Sequence, residues 1–120
     1  MAQFNTLTVS GPSTLGGDTV CNGKMTAAAF YQNSDERLKD IQGTLDKERC
    51  YKLLDICTPI IYTLHNDNKE QVGLIAQQVQ EIFPELVTTD KEGFLAIDYS
   101  RLAVILMVIV KDLLIANKSA

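Results

Sequence analysis

The C-terminal segment constrains the fold most, because it predicts one helix that is apolar on nearly every side. In YSRLAVILMVIVKDLLIAN, residues 99–117, the candidate N-caps are Asp98 and Ser100. A helix of this kind must be covered on more than one side. One row of its residues steps by four, three, four and three, which is the spacing of a coiled-coil seam: Leu102, Leu106, Ile109, Leu113 and Ala116. We therefore expect one side to pack on a domain of the same chain and the seam to meet symmetry-related copies. The alternative is the core helix of a monomer.

The sequence of residues 43–98 predicts a small α/β module that precedes this helix along the chain. Thr44 is a candidate cap for a helix that Pro59 ends. The apolar face of that helix follows the i, i+3, i+4, i+7 pattern, with Cys50, Leu53, Leu54 and Cys57. The elements predicted after it are, in order, a strand over 60–64, a strand over 72–76, a short helix over 77–83 and a hairpin over 85–99.

Residues 1–32 have a different sequence pattern: polar and apolar residues alternate, and glycines interrupt the alternation every few residues. Leu7 and Val9 share one face of a short strand, and Asn22-Gly23 is a strong hairpin signal. Three very short strands without large apolar residues are marginal on their own in water. We expect a strand-rich stem, over residues 1–33, that other copies of the chain complete. A flexible tail is the alternative.

Composition and charge limit the classes of partner that we expect for this chain. The chain is 46% hydrophobic and 22% charged, so most of it is able to bury a core. Its net charge is −4 and it has no cluster of Lys and Arg, which argues against a nucleic-acid partner. The longest apolar run, residues 102–110, is shorter than the roughly 20 residues that cross a bilayer, and the N-terminus carries no export signal, so we expect no membrane partner.

The cysteines and the other polar residues predict no cofactor site. Cys21, Cys50 and Cys57 form no disulfide framework and no CxxC pair, which favours reduced, buried thiols. No metal-ligand spacing and no phosphate-binding loop is present, so we expect neither a metal ion nor a cofactor.

The segment NSDERLKDIQ, residues 33–42, admits two interpretations. It is either an exposed turn or a serine–lysine pair in which Ser34 is the nucleophile and Lys39 the base. Five residues along an α-helix place two side chains about 140° apart, and five along a strand place them on opposite faces. Either a turn at Asp35-Glu36 folds the chain back, or a neighbouring chain completes the site.

A lysine acts as a base only when it is neutral, and its ordinary pKa is about 10.4. Desolvation favours the neutral amine, so the pair needs a dry environment in the assembled state. Three acids close by favour the ammonium instead unless they point elsewhere: Asp35, Glu36 and Asp40.

Other polar residues are weaker candidates. Asp35 follows the serine and is a candidate to orient the turn or the pair, with a plain N-cap or surface acid as the alternative. Amide donors to an oxyanion are available from Gln77, Gln78 and Gln80, although a polar helix face is the simpler interpretation. His65, the only histidine, is predicted to lie in a solvated loop.

Three segments in this order carry a family resemblance: SDERLKDI at 34–41, VGLIAQQVQEIFPELV at 72–87 and LAIDYSRLAVILMVIVKDL at 95–113. They resemble the C-terminal intramolecular chaperone and auto-processing domain of bacteriophage tailspikes and tail fibres, the endosialidase type. A related domain occurs in the myelin regulatory factor. The Gly-rich strands before them are similar to the end of a trimeric fibre stem.

The resemblance implies a fold, a partner and an activity. The fold is α+β: a short β-stem over 1–33, then a chaperone domain over 34–120 with a C-terminal trimerisation helix. The partners are two further copies of the chain and the upstream, triple-β-helical fibre of the same chain. The domain then releases itself by autoproteolysis at the Asn33–Ser34 bond, acting as a serine endopeptidase with Ser34 and Lys39 as its dyad.

The resemblance also implies a place and leaves one alternative. The protein would be a virion tail fibre precursor that is made in the host cytoplasm, with the chaperone domain released after cleavage. The helix ends soon after Asn117, where family members often continue as a longer coiled coil. The alternative is a structural module that trimerises and is never cleaved, while a metabolic enzyme finds no pocket motif here.

Overall fold

The computed structural model describes residue 3 and residues 5–119, and the chain divides into two compact units between Asp40 and Ile41. This boundary lies seven residues after the predicted one between Asn33 and Ser34. The two units differ in kind and are described separately.

The first unit has little regular structure. Among its described residues up to Gln32 there is no helix and no strand, so the predicted short strands and the Asn22-Gly23 hairpin do not form in the single chain. Its large apolar side chains are exposed: Leu7, Val9, Leu15, Val20, Met25 and Phe30. Short strands with so few large apolar residues do not form a stable sheet by themselves. The sequence analysis predicts for the same reason that other copies of the chain complete the stem. The one helical turn described in this unit is a 3-10 turn at Glu36–Leu38.

The second unit begins with helix α1, Lys47–Ile56. The cap is Asp46, whose carboxylate accepts a hydrogen bond from the Glu48 N–H at 3.3 Å, and not Thr44 as predicted. The buried side of α1 presents Cys50 and Leu53, whereas Leu54, predicted on the same face, is about half exposed. The helix ends three residues before Pro59, in agreement with the sequence.

Two small antiparallel sheets follow. Strand β1, Ile60–Tyr62, pairs with β2, Gln71–Gly73, and strand β3, Val87–Thr89, pairs with β4, Leu95–Ile97. The β3–β4 turn is held by the Asp90 carboxylate, which accepts hydrogen bonds from two backbone N–H groups at 2.9 Å. Between the sheets lies helix α2, Ala76–Ile82, followed by a 3-10 turn at Pro84–Leu86.

The last element is helix α3, Leu102–Ser119, which continues from a 3-10 turn at Tyr99–Arg101. Asp98 caps this turn by accepting from the Ser100 N–H at 3.2 Å, so one of the two predicted caps is the observed one. Ile105 and Ile109 of α3 pack into a core with α1, α2 and the turn after it. The members of this core are Cys50, Leu53, Val79, Phe83, Leu86, Ile105 and Ile109.

A polar cluster also joins α1 to α3. The Tyr51 hydroxyl donates to Asp112 Oδ2 at 2.8 Å, and the Lys47 ammonium lies 3.2 Å from Asp112 Oδ1. Both interactions lower the pKa of Asp112, and the Tyr51 hydrogen bond has the larger effect. The cluster fixes the helix pair at its rim, where the side chains are partly solvated.

The start of α3 is tied to β2 by Tyr99. Its hydroxyl accepts from the Leu74 N–H at 2.8 Å and donates to the Leu74 carbonyl at 3.3 Å. A Cβ on Gly73 would lie 2.6 Å from that hydroxyl oxygen and 3.2 Å from the Tyr62 ring, so only glycine fits here.

The second unit is thus a mixed α+β module with a long C-terminal helix, as the sequence predicts. None of the helices in the described part of the chain is long and apolar enough to span a membrane.

Candidate functional site

The segment from Ser34 to Lys39 forms a capped turn. Asp35 is the N-cap of the 3-10 helix, and its carboxylate accepts from the Arg37 N–H at 2.8 Å. Two backbone bonds close the turn, from Leu38 N–H to the Asp35 carbonyl at 3.0 Å and from Lys39 N–H to the Glu36 carbonyl at 3.1 Å. After this turn Lys39 returns to extended backbone, so the chain reverses over a few residues.

This turn brings the two predicted dyad residues together within one chain. Lys39 Nζ lies 2.7 Å from Ser34 Oγ, within hydrogen-bonding distance. Of the two arrangements that the spacing permits, the chain adopts the turn at Asp35-Glu36, and a neighbouring chain is not needed for this contact. Both side chains are exposed in this structure, as is Asn33 on the other side of the predicted scissile bond.

Arg37 engages Asp35. Its guanidinium places Nε 3.1 Å from Asp35 Oδ1 and a terminal nitrogen 2.8 Å from Asp35 Oδ2, a two-pronged arrangement. The side-chain hydrogen bond from Arg37, followed by the backbone one, lowers the pKa of Asp35. The sequence analysis named the acids around Lys39 and missed this arginine. The available signal was an aspartate cap with an arginine two residues later.

The remaining polar candidates lie in the second unit. Gln78 Oε1 accepts from the Thr58 N–H at 3.4 Å, while Gln77 and Gln80 are exposed on α2. His65 is exposed in the turn between β1 and β2.

The four residues predicted at a trimer interface differ in exposure. Ile109 is 5% exposed in the core of its own unit, and Leu102 is partly buried against the same core. Leu106 and Leu113 are 50% and 55% exposed on the other side of α3. Leu106 also borders an apolar groove of about 340 Å³, which Leu54 and Cys57 line as well.

The fold and the turn define a small α+β domain that carries a long, half-exposed apolar helix and is preceded by a serine–lysine contact. Residues 34–88 match the family model described as chaperone of endosialidase, Peptidase S74. This match supports the resemblance to the endosialidase-type chaperone domain that was seen in the sequence. The match starts at Ser34. No curated protein matches the chain.

The family match supports four coarse statements about function. It supports the role of an intramolecular chaperone, and it is consistent with a phage tail protein that is made as a virion tail fibre precursor. The family also suggests association with an upstream tail fibre or tailspike region. Its peptidase name suggests self-cleavage.

Proposed function

We propose that the domain trimerises through α3, helps the upstream fibre to fold, and then releases itself by cutting the Asn33–Ser34 bond. The observation that carries the proposal is the 2.7 Å contact between Lys39 Nζ and Ser34 Oγ. A serine hydroxyl becomes a good nucleophile only when a base lies within hydrogen-bonding distance to take its proton. Lys39 lies at that distance from Ser34.

The proposed reaction is a shift of an acyl group from nitrogen to oxygen, followed by hydrolysis. Ser34 Oγ gives its proton to the neutral Lys39 amine and attacks the Asn33 carbonyl carbon, and the carbonyl oxygen takes the negative charge. The bond from that carbon to Ser34 N then breaks, the nitrogen takes the proton from Lys39, and an ester joins Asn33 to Ser34 Oγ. Because Ser34 supplies both the departing nitrogen and the attacking oxygen, the ester still joins the two parts of the chain until water acts.

Water completes the cut. Neutral Lys39 takes a proton from a water molecule, the hydroxide attacks the ester carbon, and the bond to Ser34 Oγ breaks while Oγ recovers the proton. The products are a carboxylate at Asn33 and a new amino terminus at Ser34. Each chain reacts once, since its substrate is its own backbone.

Assembly supplies the dry environment that this chemistry requires. In the single chain the Ser34–Lys39 pair is exposed to water, whereas the proposed chemistry needs the lysine as a neutral amine. Burial of the pair among the chains of a trimer favours the neutral amine. The cut would then follow folding of the fibre.

Helix α3 offers the surface for this assembly. Its solvent side carries a row of half-exposed apolar residues, Leu106, Val110 and Leu113, spaced by four and three. Further exposed apolar residues flank the row on the same helix: Val104, Met107, Leu114 and Ile115. An exposed apolar patch of more than a few hundred Å² marks an interaction surface. Because Ile109 already packs in its own core, the predicted seam contributes Leu106 and Leu113 to the trimer more than Ile109.

A structural trimerisation module that is never cleaved is the second candidate. The observation in its favour is the exposure of the pair together with the acids beside it, which favour the ammonium of Lys39. The two candidates share α3 as the assembly surface and differ only in the fate of the Asn33–Ser34 bond.

The test is mass spectrometry of the full chain after purification and incubation at neutral pH. We expect one fragment that ends at Asn33 and one that begins at Ser34. Ser34→Ala abolishes the cut and leaves the trimer intact, while the matched control Ser13→Ala, an exposed serine of the same unit, is cut normally. Lys39→Ala also abolishes the cut, and Lys39→Arg does not restore it because arginine stays protonated.

Hydroxylamine separates the ester route from direct hydrolysis. It attacks esters readily, so it should speed the wild-type cut and leave a hydroxamate at Asn33. A wild-type trimer that stays intact for days would leave the non-cleaving module as the function. Cleavage that persists in Lys39→Ala would make another group the base, with His65 tested first.

A further inference from the structure

The turn that joins Ser34 to Lys39 contains an acid, Asp35, that would oppose the proposed chemistry if its carboxylate reached the Lys39 amine. Asp35 follows the nucleophile directly, and a carboxylate within about 4–6 Å of a lysine favours the ammonium. The other acids nearest to Lys39 along the chain are Glu36, three residues before it, and Asp40, directly after it.

The geometry shows where the Asp35 carboxylate is directed. Each of its oxygens accepts a hydrogen bond from the Arg37 guanidinium, at 3.1 Å and 2.8 Å, and Oδ1 accepts a second one from the Arg37 N–H at 2.8 Å. Charge-assisted, two-pronged contacts of this kind fix the orientation of a carboxylate. Arg37 therefore holds Asp35 by side chain and backbone together.

We propose that Arg37 is a positioning residue of the self-cleavage site: it holds Asp35 as the cap of the turn and withholds its carboxylate from Lys39. The inference rests on the proposed function. Arg37 acts indirectly in two ways. It stabilises the turn that brings Lys39 to Ser34, and it binds Asp35, the acid next to the nucleophile. The depressed pKa of Asp35 agrees with a carboxylate that is engaged as an anion.

This role differs from simple support of the turn in its pH dependence. If Arg37 only shaped the turn, its loss would slow the cut by the same factor at every pH. If it also withholds Asp35, its loss leaves the Asp35 carboxylate held only by the backbone N–H of residue 37, so that its second oxygen is able to turn towards Lys39. The cut then requires a higher pH, because more alkali is needed to produce the neutral amine.

The experiment compares the pH–rate profiles of cleavage for the full chain and four variants, with all proteins checked as trimers. Arg37→Gln removes the guanidinium, and Arg37→Lys keeps a cation but not the fork. Asp35→Asn/Arg37→Gln removes the freed acid as well. Lys52→Gln, an exposed cation of α1, is the matched control for the loss of one positive charge.

The expected results are specific for each variant. Arg37→Gln moves the midpoint of the profile up by about one pH unit, which is roughly a tenfold slower cut at pH 7. The double variant returns the midpoint to the wild-type pH, and any slowing that remains is the same at all pH values. Arg37→Lys lies between the two, and Lys52→Gln matches the wild type.

Two results overturn the inference, and they are distinct from failure of the proposed function. A wild-type protein that cleaves, together with an Arg37→Gln profile of unchanged midpoint, leaves Arg37 without this role. A double variant whose midpoint stays as high as that of Arg37→Gln shows that Asp35 is not the acid involved. A wild-type trimer that never cleaves overturns the proposed function, and the inference falls with it.

Discussion

The two units of the chain are held by different kinds of contact. In the first unit, large apolar side chains are exposed, and the hydrogen bonds of the turn at Ser34–Lys39 join residues at most five positions apart. In the second, seven buried side chains form a core that joins three helices and the turn before β3. Local contacts are enough to bring the Ser34 and Lys39 side chains together, but they contribute little stability. The comparison teaches that reactive geometry and stability reside in separate stretches of the chain.

The largest expected effect tests whether assembly links the two units. Leu106→Glu places a charge on the exposed row of α3, and burying an unpaired charge in each subunit of the proposed trimer costs several kcal/mol. We expect a monomer by light scattering, with no strand signal from residues 5–30 in hydrogen exchange.

The matched control is Ile61→Glu, which changes an exposed apolar residue of β1 away from α3. It should remain a trimer with the stem protected. A Leu106→Glu protein that remains a trimer would show that α3 is not the assembly surface.

The next effect compares the same kind of truncation in the two units. Ile105→Ala removes a side chain that is 2% exposed, so it should lower the free energy of unfolding by about 2–5 kcal/mol. Val9→Ala removes one that is 57% exposed in the single chain, and should change it by less than about 0.5 kcal/mol.

Urea denaturation measures both variants, in the Leu106→Glu background so that the protein is monomeric. Equal losses in the two variants would mean that Val9 packs in the monomer after all, and the contrast between the units would disappear.

The smallest effect is the pH dependence of the α1–α3 contact. The pKa of Asp112 is below its ordinary value of 3.8, so its ionised form stabilises the folded unit. That stabilisation is present above the ordinary pKa and is lost as the pH falls through the lowered one. The wild type should therefore exceed Asp112→Asn in stability at pH 7, with the gap closing towards pH 2.

Tyr51→Phe removes the hydroxyl that contributes most to the shift, so part of the same pH dependence should vanish. Urea midpoints measured between pH 2 and pH 7 give the result. A gap between the wild type and Asp112→Asn that is constant over this range would assign the effect to packing and not to charge.

Much of the second unit was predictable because its elements carry regular periods. The helical face of Cys50 and Leu53, the two strand pairs and the long C-terminal helix all follow from patterns of apolar residues. Ends were less accurate, since Thr44 and Asp46 are both good caps and only the geometry selects Asp46. The seam was harder, because α3 is apolar on two sides and spacing alone does not tell which row packs in its own core.

The structure of the first unit was harder to predict from sequence patterns. Alternation at Leu7 and Val9 indicates a strand, but a strand forms only with a partner strand, which the single chain does not supply. The contact between Ser34 and Lys39 depends on a short capped turn, which has no period to detect. Arg37 was missed although an aspartate cap followed by an arginine was visible in the sequence, because only the folded turn shows that the guanidinium reaches the Asp35 carboxylate.

The local character of that turn has a consequence for synthesis on the ribosome. Every contact that brings Lys39 to Ser34 lies within six consecutive residues, so the pair meets soon after it leaves the exit tunnel. The 80 residues of the second unit, Ile41 to Ala120, follow it, and at about 5–20 residues per second they take roughly 4–16 s to translate. If the cut occurred in that interval, the nascent fibre would lose its chaperone before the chaperone existed. Under the proposed function, a delay imposed by assembly would let synthesis of the second unit finish first, so the order of the two units along the chain would set the time of their separation.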